Sequence, residues 1–366
     1  MVMVENKTVK STALVSVGIG LSFLRFCAAL VPKSIFAVIM AALDPVIAIA
    51  AGFAIGILYA DGYYKTAVAS TFLSALPAVY VAGTSDVGAA VFMLIPAAVA
   101  LCLGAAVRRG TDRSTVVGIT ALVCAAMLTA TAILSVISLT KSADITVSDL
   151  WNECVSQLNG IMRSFTETED FAILADNYGI TVEDFLKTTE SMTDGILKVT
   201  LLLMPSFAYA LYYFIAFFIS FALKPLIEYV KKPPVEEHIT RKLGDNEVHI
   251  HVMHAQPGYD SEFSVSSATR WVYIVSLAVL AFGALFGVGL TVTVCAAEFA
   301  IALTPPFVIL GCRFAYFLFK PKLRGATVPV IVLVSIVLSA YSLFVPSAVI
   351  FGVVSTKFKG RLERKS

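Results

Sequence analysis

The chain has 366 residues, of which 58% are hydrophobic and only 14% charged, and its mean hydropathy is +0.86. That composition lies outside the range of soluble globular domains and reads as an integral membrane protein, with the lipid bilayer as its first partner. A formal net charge of +2 gives no basic face for nucleic acid, and none is expected as a partner.

Apolar stretches follow one another along the chain: 12–32, 34–60, 66–82, 87–107, 115–140, 199–223, 271–290, 292–319 and 328–354. Most reach the ~20 residues that a spanning helix needs. The expected fold is therefore all-α, a polytopic transmembrane helix bundle of about 8–10 membrane segments. Residues 1–223 form a six-helix membrane bundle that includes an acidic outer insert at 141–197. Residues 224–270 form a flexible insert, and 271–366 hold further membrane helices and a basic tail. The stretch from Thr66 is the shortest and contains Pro77.

Basic residues set the expected orientation. With the N-terminus inside, alternate loops carry Lys65, then Arg108, Arg109 and Arg113, then the segment from Lys224, then Lys320, Lys322 and Arg324. The opposite loops are poor in Lys and Arg, the positive-inside pattern of a cell-membrane protein. The tail holds Lys357, Lys359, Arg361, Arg364 and Lys365, so a cytoplasmic C-terminus requires an even number of crossings after Arg324. Pro346 divides the last stretch, which is read either as a kinked or re-entrant hairpin or as one span with its tail outside.

The two polar inserts differ. The outer one is acidic throughout, and Trp151, Val155, Leu158, Met162 and Phe165 recur in it at helical spacing behind Ser148, read as a cap. Thr181 to Asp184 reads as a capping box that opens a second short amphipathic helix. The inner insert contains Pro225, Pro233 and Pro234 with mixed charge, and it holds all four histidines. Of these, His249, His251 and His254 are read as a solvated loop, although a strand would put His249 and His251 on one face. No metal site and no cofactor are assigned.

Five of the six cysteines, Cys27, Cys102, Cys124, Cys295 and Cys312, fall in apolar segments, and no disulfide framework or CxxC pair is visible. No P-loop, GxSxG, HExxH or Ser-x-x-Lys pattern stands in a suitable context, so enzymatic activity is not expected.

Four ionisable residues inside apolar segments point to a site, because hydrocarbon tolerates such groups only when they are paired or functional. Helical rise puts Arg25 about 10 Å, Asp44 about 14 Å and Glu298 about 9 Å below the outer boundary. Arg25 and Asp44 are read as an ion pair between adjacent helices. All three are the candidate ligand-binding residues for a small polar or charged solute. Arg313 falls about 10 Å from the inner boundary and reads as an anchor. Gly52 and Gly56 form a GxxxG pair suited to close helix packing. The aromatic run from Tyr209 to Phe221 reads as bulk packing and lipid contact.

Gly179-Ile-Thr-Val-Glu-Asp-Phe, Leu203-Met-Pro-Ser-Phe, the late Trp271 and Phe358-Lys-Gly-Arg resemble the YybS-like family of bacterial membrane proteins. The histidine-bearing insert departs from that family. The family is in turn distantly similar to the membrane-embedded substrate-binding components of energy-coupling-factor transporters, whose six helices bind vitamins or metal ions near the outer face. The resemblance implies a transport component without its own ATPase, binding a small-molecule solute in its outer half. The alternative is a non-transporting scaffold for envelope or membrane-protein partners.

Overall fold

The computed structural model describes residues 2–30, 35–83, 87–109, 111–222, 235–243, 246–254, 263–287, 289–319, 349–350 and 352–353. The proposed break at Pro346, the prolines at 225, 233 and 234, the basic residues at 320, 322 and 324 and the tail from 357 lie outside the described residues.

Among the described residues eight helices are long and apolar enough to cross a bilayer, and the protein is an all-α integral membrane bundle. In chain order the elements are α1 (Val2–Leu30), α2 (Ile35–Ala60), α3 (Tyr64–Ala82), α4 (Val87–Met93), α5 (Ile95–Arg108) and α6 (Arg113–Ala143). Then come α7 (Val147–Thr166), α8 (Glu169–Tyr178), α9 (Val182–Ala222), β1 (Val235–Leu243), β2 (Asn246–His254), α10 (Ser267–Phe286) and α11 (Leu290–Phe319). The helices α4 and α5 together make one span, Val87–Ala106.

The tightest seam joins α2 to α5, and small residues make it. A Cβ on Gly52 would lie 2.6 Å from Val99, one on Gly56 2.6 Å from Leu103, and one on Gly104 2.5 Å from Tyr59. The backbones approach because nothing stands between them, which is how membrane helices associate when hydrocarbon offers no hydrophobic drive. Val99 and Leu103 on the α5 side are fully buried, as are Ile49, Phe53 and Leu58 of α2, which belong to the main core around the seam. Around it α1, α3, α6 and α9 complete the main core, while α10 packs on α11 and α11 packs against α9. There Tyr273 stacks on Phe307 with ring centroids 4.5 Å apart, and its hydroxyl shares a 3.0 Å hydrogen bond with Thr304.

The outside of the bundle stays apolar. Phe72, Leu122, Phe218 and Leu285 are exposed, as side chains facing lipid must be. The aromatic run on α9 divides as its periodicity requires, with Tyr212 and Tyr213 buried and Phe218 and Phe221 exposed.

The acidic insert differs from the expectation in three ways. Its first helix is capped by Thr146, not Ser148. The Thr146 hydroxyl accepts from the Asp149 N–H at 3.1 Å, and the Asp149 carboxylate accepts from the Thr146 N–H at 2.9 Å. An unforeseen helix, α8, follows, capped by Thr168 and closed by Gly179 at φ 63, a left-handed turn that favours glycine. At Thr181 and Asp184 the cap half of the expected box is present, the Asp184 N–H donating to the Thr181 hydroxyl at 3.1 Å and that hydroxyl donating to the Asp184 carboxylate at 2.6 Å. It opens no separate short helix, because α9 runs unbroken for 41 residues from the insert through the sixth span. At ~1.5 Å per residue that is about 62 Å, roughly twice the thickness of the hydrocarbon core.

The inner insert, expected to be flexible, holds the one sheet among the described residues. Strands β1 and β2 pair antiparallel from Val235↔His254 to Leu243↔Asn246.

Overfilling the α2–α5 seam tests its packing. Gly56→Val should lower thermal stability in detergent by about 1–3 kcal/mol, the usual cost of overpacking. Gly20→Ala on α1, where a Cβ would meet nothing within 4 Å, should not lower the melting midpoint.

Candidate functional site

The site begins with a proline. In an α-helix each N–H bonds the carbonyl four residues back, and Pro96 has no N–H to offer the carbonyl of Phe92. The ladder breaks there: the Leu94 N–H turns to Val91 O at 3.1 Å, and regular pairing resumes with the Ala98 N–H on Leu94 O at 3.0 Å. Arg25 supplies the missing donor from a different helix. Its Nη2 donates to Phe92 O at 3.2 Å, and its guanidinium carbon lies 5.0 Å from the centre of the Phe92 ring.

The same guanidinium grips α2. Arg25 Nε donates to Asp44 Oδ1 at 2.6 Å and Nη2 to Asp44 Oδ2 at 3.0 Å, a two-point pair. The side chains are 1% and 13% exposed. The pair expected from matched depths is therefore formed, and it gains a third member, the Phe92 carbonyl, that depth did not reveal. Tyr212 of α9 and Cys124 of α6, both buried, lie within electrostatic reach of Arg25. One arginine thus ties α1 to α2 and α4 at a point that α6 and α9 enclose.

Glu298 does not join them. It is half-buried on α11, whose main packing partners are α9 and α10, and among the described residues it makes no ion pair or hydrogen bond to Arg25 or Asp44. Depth arithmetic places residues along the bundle axis and says nothing of lateral position. Helix α9 is the element shared by the two regions, and its Phe214 packs on both.

At the opposite end of the bundle sits a cation that the sequence reading took only as an orientation signal. Arg113 opens α6 and is buried, with Nε donating to the Ser220 hydroxyl at 3.0 Å and the rings of Phe217 and Phe221 5.1 and 5.5 Å away. Aromatic residues three or four apart on a neighbouring helix are the available signal for such a cage. Arg313, the expected anchor, is exposed and donates to Phe263 O at 3.4 Å. Asp112 caps α6. Burial opposes its charge, yet hydrogen bonds from Ser114 and Thr115 prevail and hold the carboxyl below its ordinary range.

The acidic insert is tied together by side chains. Trp151 Nε1 donates to Asp194 Oδ1 at 2.9 Å, Thr193 Oγ1 donates to Asn159 Oδ1 at 2.8 Å, and Arg163 pairs with Glu190 at 2.5 Å. Phe171 is buried between Phe165 and Phe185, 5.7 and 4.9 Å centre to centre. These contacts seat α7 and α8 on the half of α9 that precedes its membrane span. Several apolar side chains remain exposed on this unit, among them Ile161, Ile173, Tyr178 and Ile196.

Among the described residues of the membrane helices and the acidic insert, no group of three or more His, Cys, Asp or Glu side chains is arranged to hold a metal ion. No family model, no curated protein and no solved structure matches the chain.

The cap of α7 is pH-sensitive. Hydrogen bonds from the Thr146 hydroxyl and then its N–H hold the Asp149 carboxyl below its ordinary value of 3.8. A carboxyl lowered by folding contributes stability above 3.8 that is lost as pH falls through its folded value. Amide exchange at residues 147–150 should therefore accelerate relative to its intrinsic rate below that pH. The start of α8, capped by the Thr168 hydroxyl, should show no such step.

Proposed function

We propose that this integral membrane protein is a non-transporting scaffold that holds a membrane or envelope partner through its acidic helical insert. The observation that carries the reading is the continuity of α9. One helix is both the beam of the insert and a central wall of the bundle, so a partner bound to α7 and α8 is rigidly referred to the membrane. The exposed Ile161, Ile173 and Tyr178 supply apolar contact on an otherwise charged surface. Arg25 and Asp44 favour the same reading: they satisfy each other and the Phe92 carbonyl in a packed setting, the arrangement of a structural clamp.

A second reading, binding of a small solute as a transport component, draws on Glu298. A half-buried carboxylate within an apolar span, with no ion pair among the described residues and Pro305 and Pro306 following on the same helix, is the kind of group that marks solute or ion paths. The resemblance to the YybS-like family supports this second reading and leaves the solute unnamed. In both readings the N-terminus and the hairpin lie on the cytoplasmic side, in accord with the distribution of Lys and Arg.

The two readings separate in one paired experiment. A photo-crosslinker at Tyr178 in intact membranes should give a discrete adduct that Ile161→Ser with Ile173→Ser removes, while Glu298→Gln leaves it in place. Loss of cellular solute uptake in Glu298→Gln, with the surface variant still active in uptake and no adduct at Tyr178, would establish transport and reject the scaffold.

A further inference from the structure

All four histidines of the chain fall within the two paired strands, and the register decides how they are arranged. His238 of β1 stands directly opposite His251 of β2, and His249 stands opposite Thr240, one step along the same ladder. Residues paired across an antiparallel ladder share a face, as do residues two apart on a strand. His238, His249 and His251 therefore occupy one face of the hairpin, while His254, paired with Val235, belongs to the other.

The hydrophobic pattern supports that register. The face opposite the three histidines takes Val235, Ile239, Leu243, Val248, Ile250 and Val252 together with Glu237, Arg241 and Asn246, and the histidine face takes Glu236, Thr240, Lys242, Glu247 and Met253. A slip of one residue would mix the two sets, so the alternation specifies the pairing that brings the histidines together.

Spacing then suits a metal ion. Directly opposed Cα atoms lie about 4.5–5.5 Å apart, and residues two apart on a strand about 6.6–6.8 Å. Three histidines at neighbouring register positions of one face match the ligand number and type of a zinc-class site. Imidazole is the ligand type of zinc and its first-row neighbours, and three protein ligands leave the fourth position to water or to a carboxylate. Glu236 is the next residue of β1 on that face.

We propose that the hairpin face on which His238, His249 and His251 meet binds a divalent transition-metal ion of the zinc class. The ion bridges β1 and β2 and fixes their register. In sequence, His249, His251 and His254 look like the natural set; the ladder replaces His254 with His238, which is eleven residues before His249.

That exchange supplies the test. Tag-free, full-length protein in detergent is titrated with Zn2+ against a chromogenic competitor. One equivalent should bind. His238→Ala, His249→Ala and His251→Ala should each weaken binding at least tenfold, since even loss of a supporting partner around a metal typically costs about 10–100-fold. His254→Ala should bind as the parent does. Co2+ in place of Zn2+ gives an independent readout, an absorption spectrum of low-symmetry coordination that His238→Ala abolishes and His254→Ala preserves. Failure of the parent protein to bind one equivalent overturns the proposal. So does parent-like binding by His238→Ala, or a loss in His254→Ala equal to that in His249→Ala, the signature of a chelating coil.

Discussion

A guanidinium buried in an apolar bundle constrains everything around it. Moving Arg25 or Asp44 alone to the bilayer centre costs about 2.5–3.5 kcal/mol on insertion scales, so each requires the other. The two-point geometry, with contacts at 2.6 and 3.0 Å, fixes α1 against α2 in both height and rotation. The third contact extends the clamp to α4. Pro96 leaves the Phe92 carbonyl without its helical donor, and the Arg25 hydrogen bond at 3.2 Å satisfies it. A helix break that would be a liability in lipid becomes a docking point, and the glycine seam between α2 and α5 sets how closely the two elements approach.

From that clamp the architecture extends through α9. Tyr212 and Ala216 bury one face of α9 in the main core, and Phe214 packs on both the main core and the smaller α10–α11 cluster. The same helix continues into the acidic insert, where Trp151, Asn159 and Arg163 of α7 reach back to Asp194, Thr193 and Glu190. Polar pairs dominate there and glycine contacts dominate in the bundle. The contrast follows the solvent: water rewards apolar burial and screens charge, whereas hydrocarbon leaves close packing and paired polar groups as the main sources of specificity.

Legibility in the sequence tracked the range of the interaction concerned. The first eight apolar stretches were readable because hydropathy is a local sum. The Arg25–Asp44 pair was readable because only a short connection joins α1 to α2, so that depth along the axis nearly determines proximity. Glu298 shared their depth and not their neighbourhood, because nothing local encodes the lateral order of spans. The cap at Thr146 is written in the sequence as Thr-x-x-Asp, two residues before the equally cap-like Ser148, and local pattern alone does not choose between them. Helix α8 was hidden by its shortness, and the continuity of α9 by the change from a polar to an apolar pattern near residue 199, which is a change of solvent and not of structure. Cross-strand pairing is nonlocal as well: His249 and His251 were visible as neighbours, but their partner His238 emerged only with the ladder.

A double-mutant cycle on the clamp tests the account at its centre. Arg25→Met and Asp44→Leu, singly and together, are compared by reversible unfolding in detergent. The account predicts that each single change costs about 3–5 kcal/mol, because it strands a buried charge, and that the double change costs much less than their sum. Strictly additive losses, or single variants as stable as the parent, would contradict it.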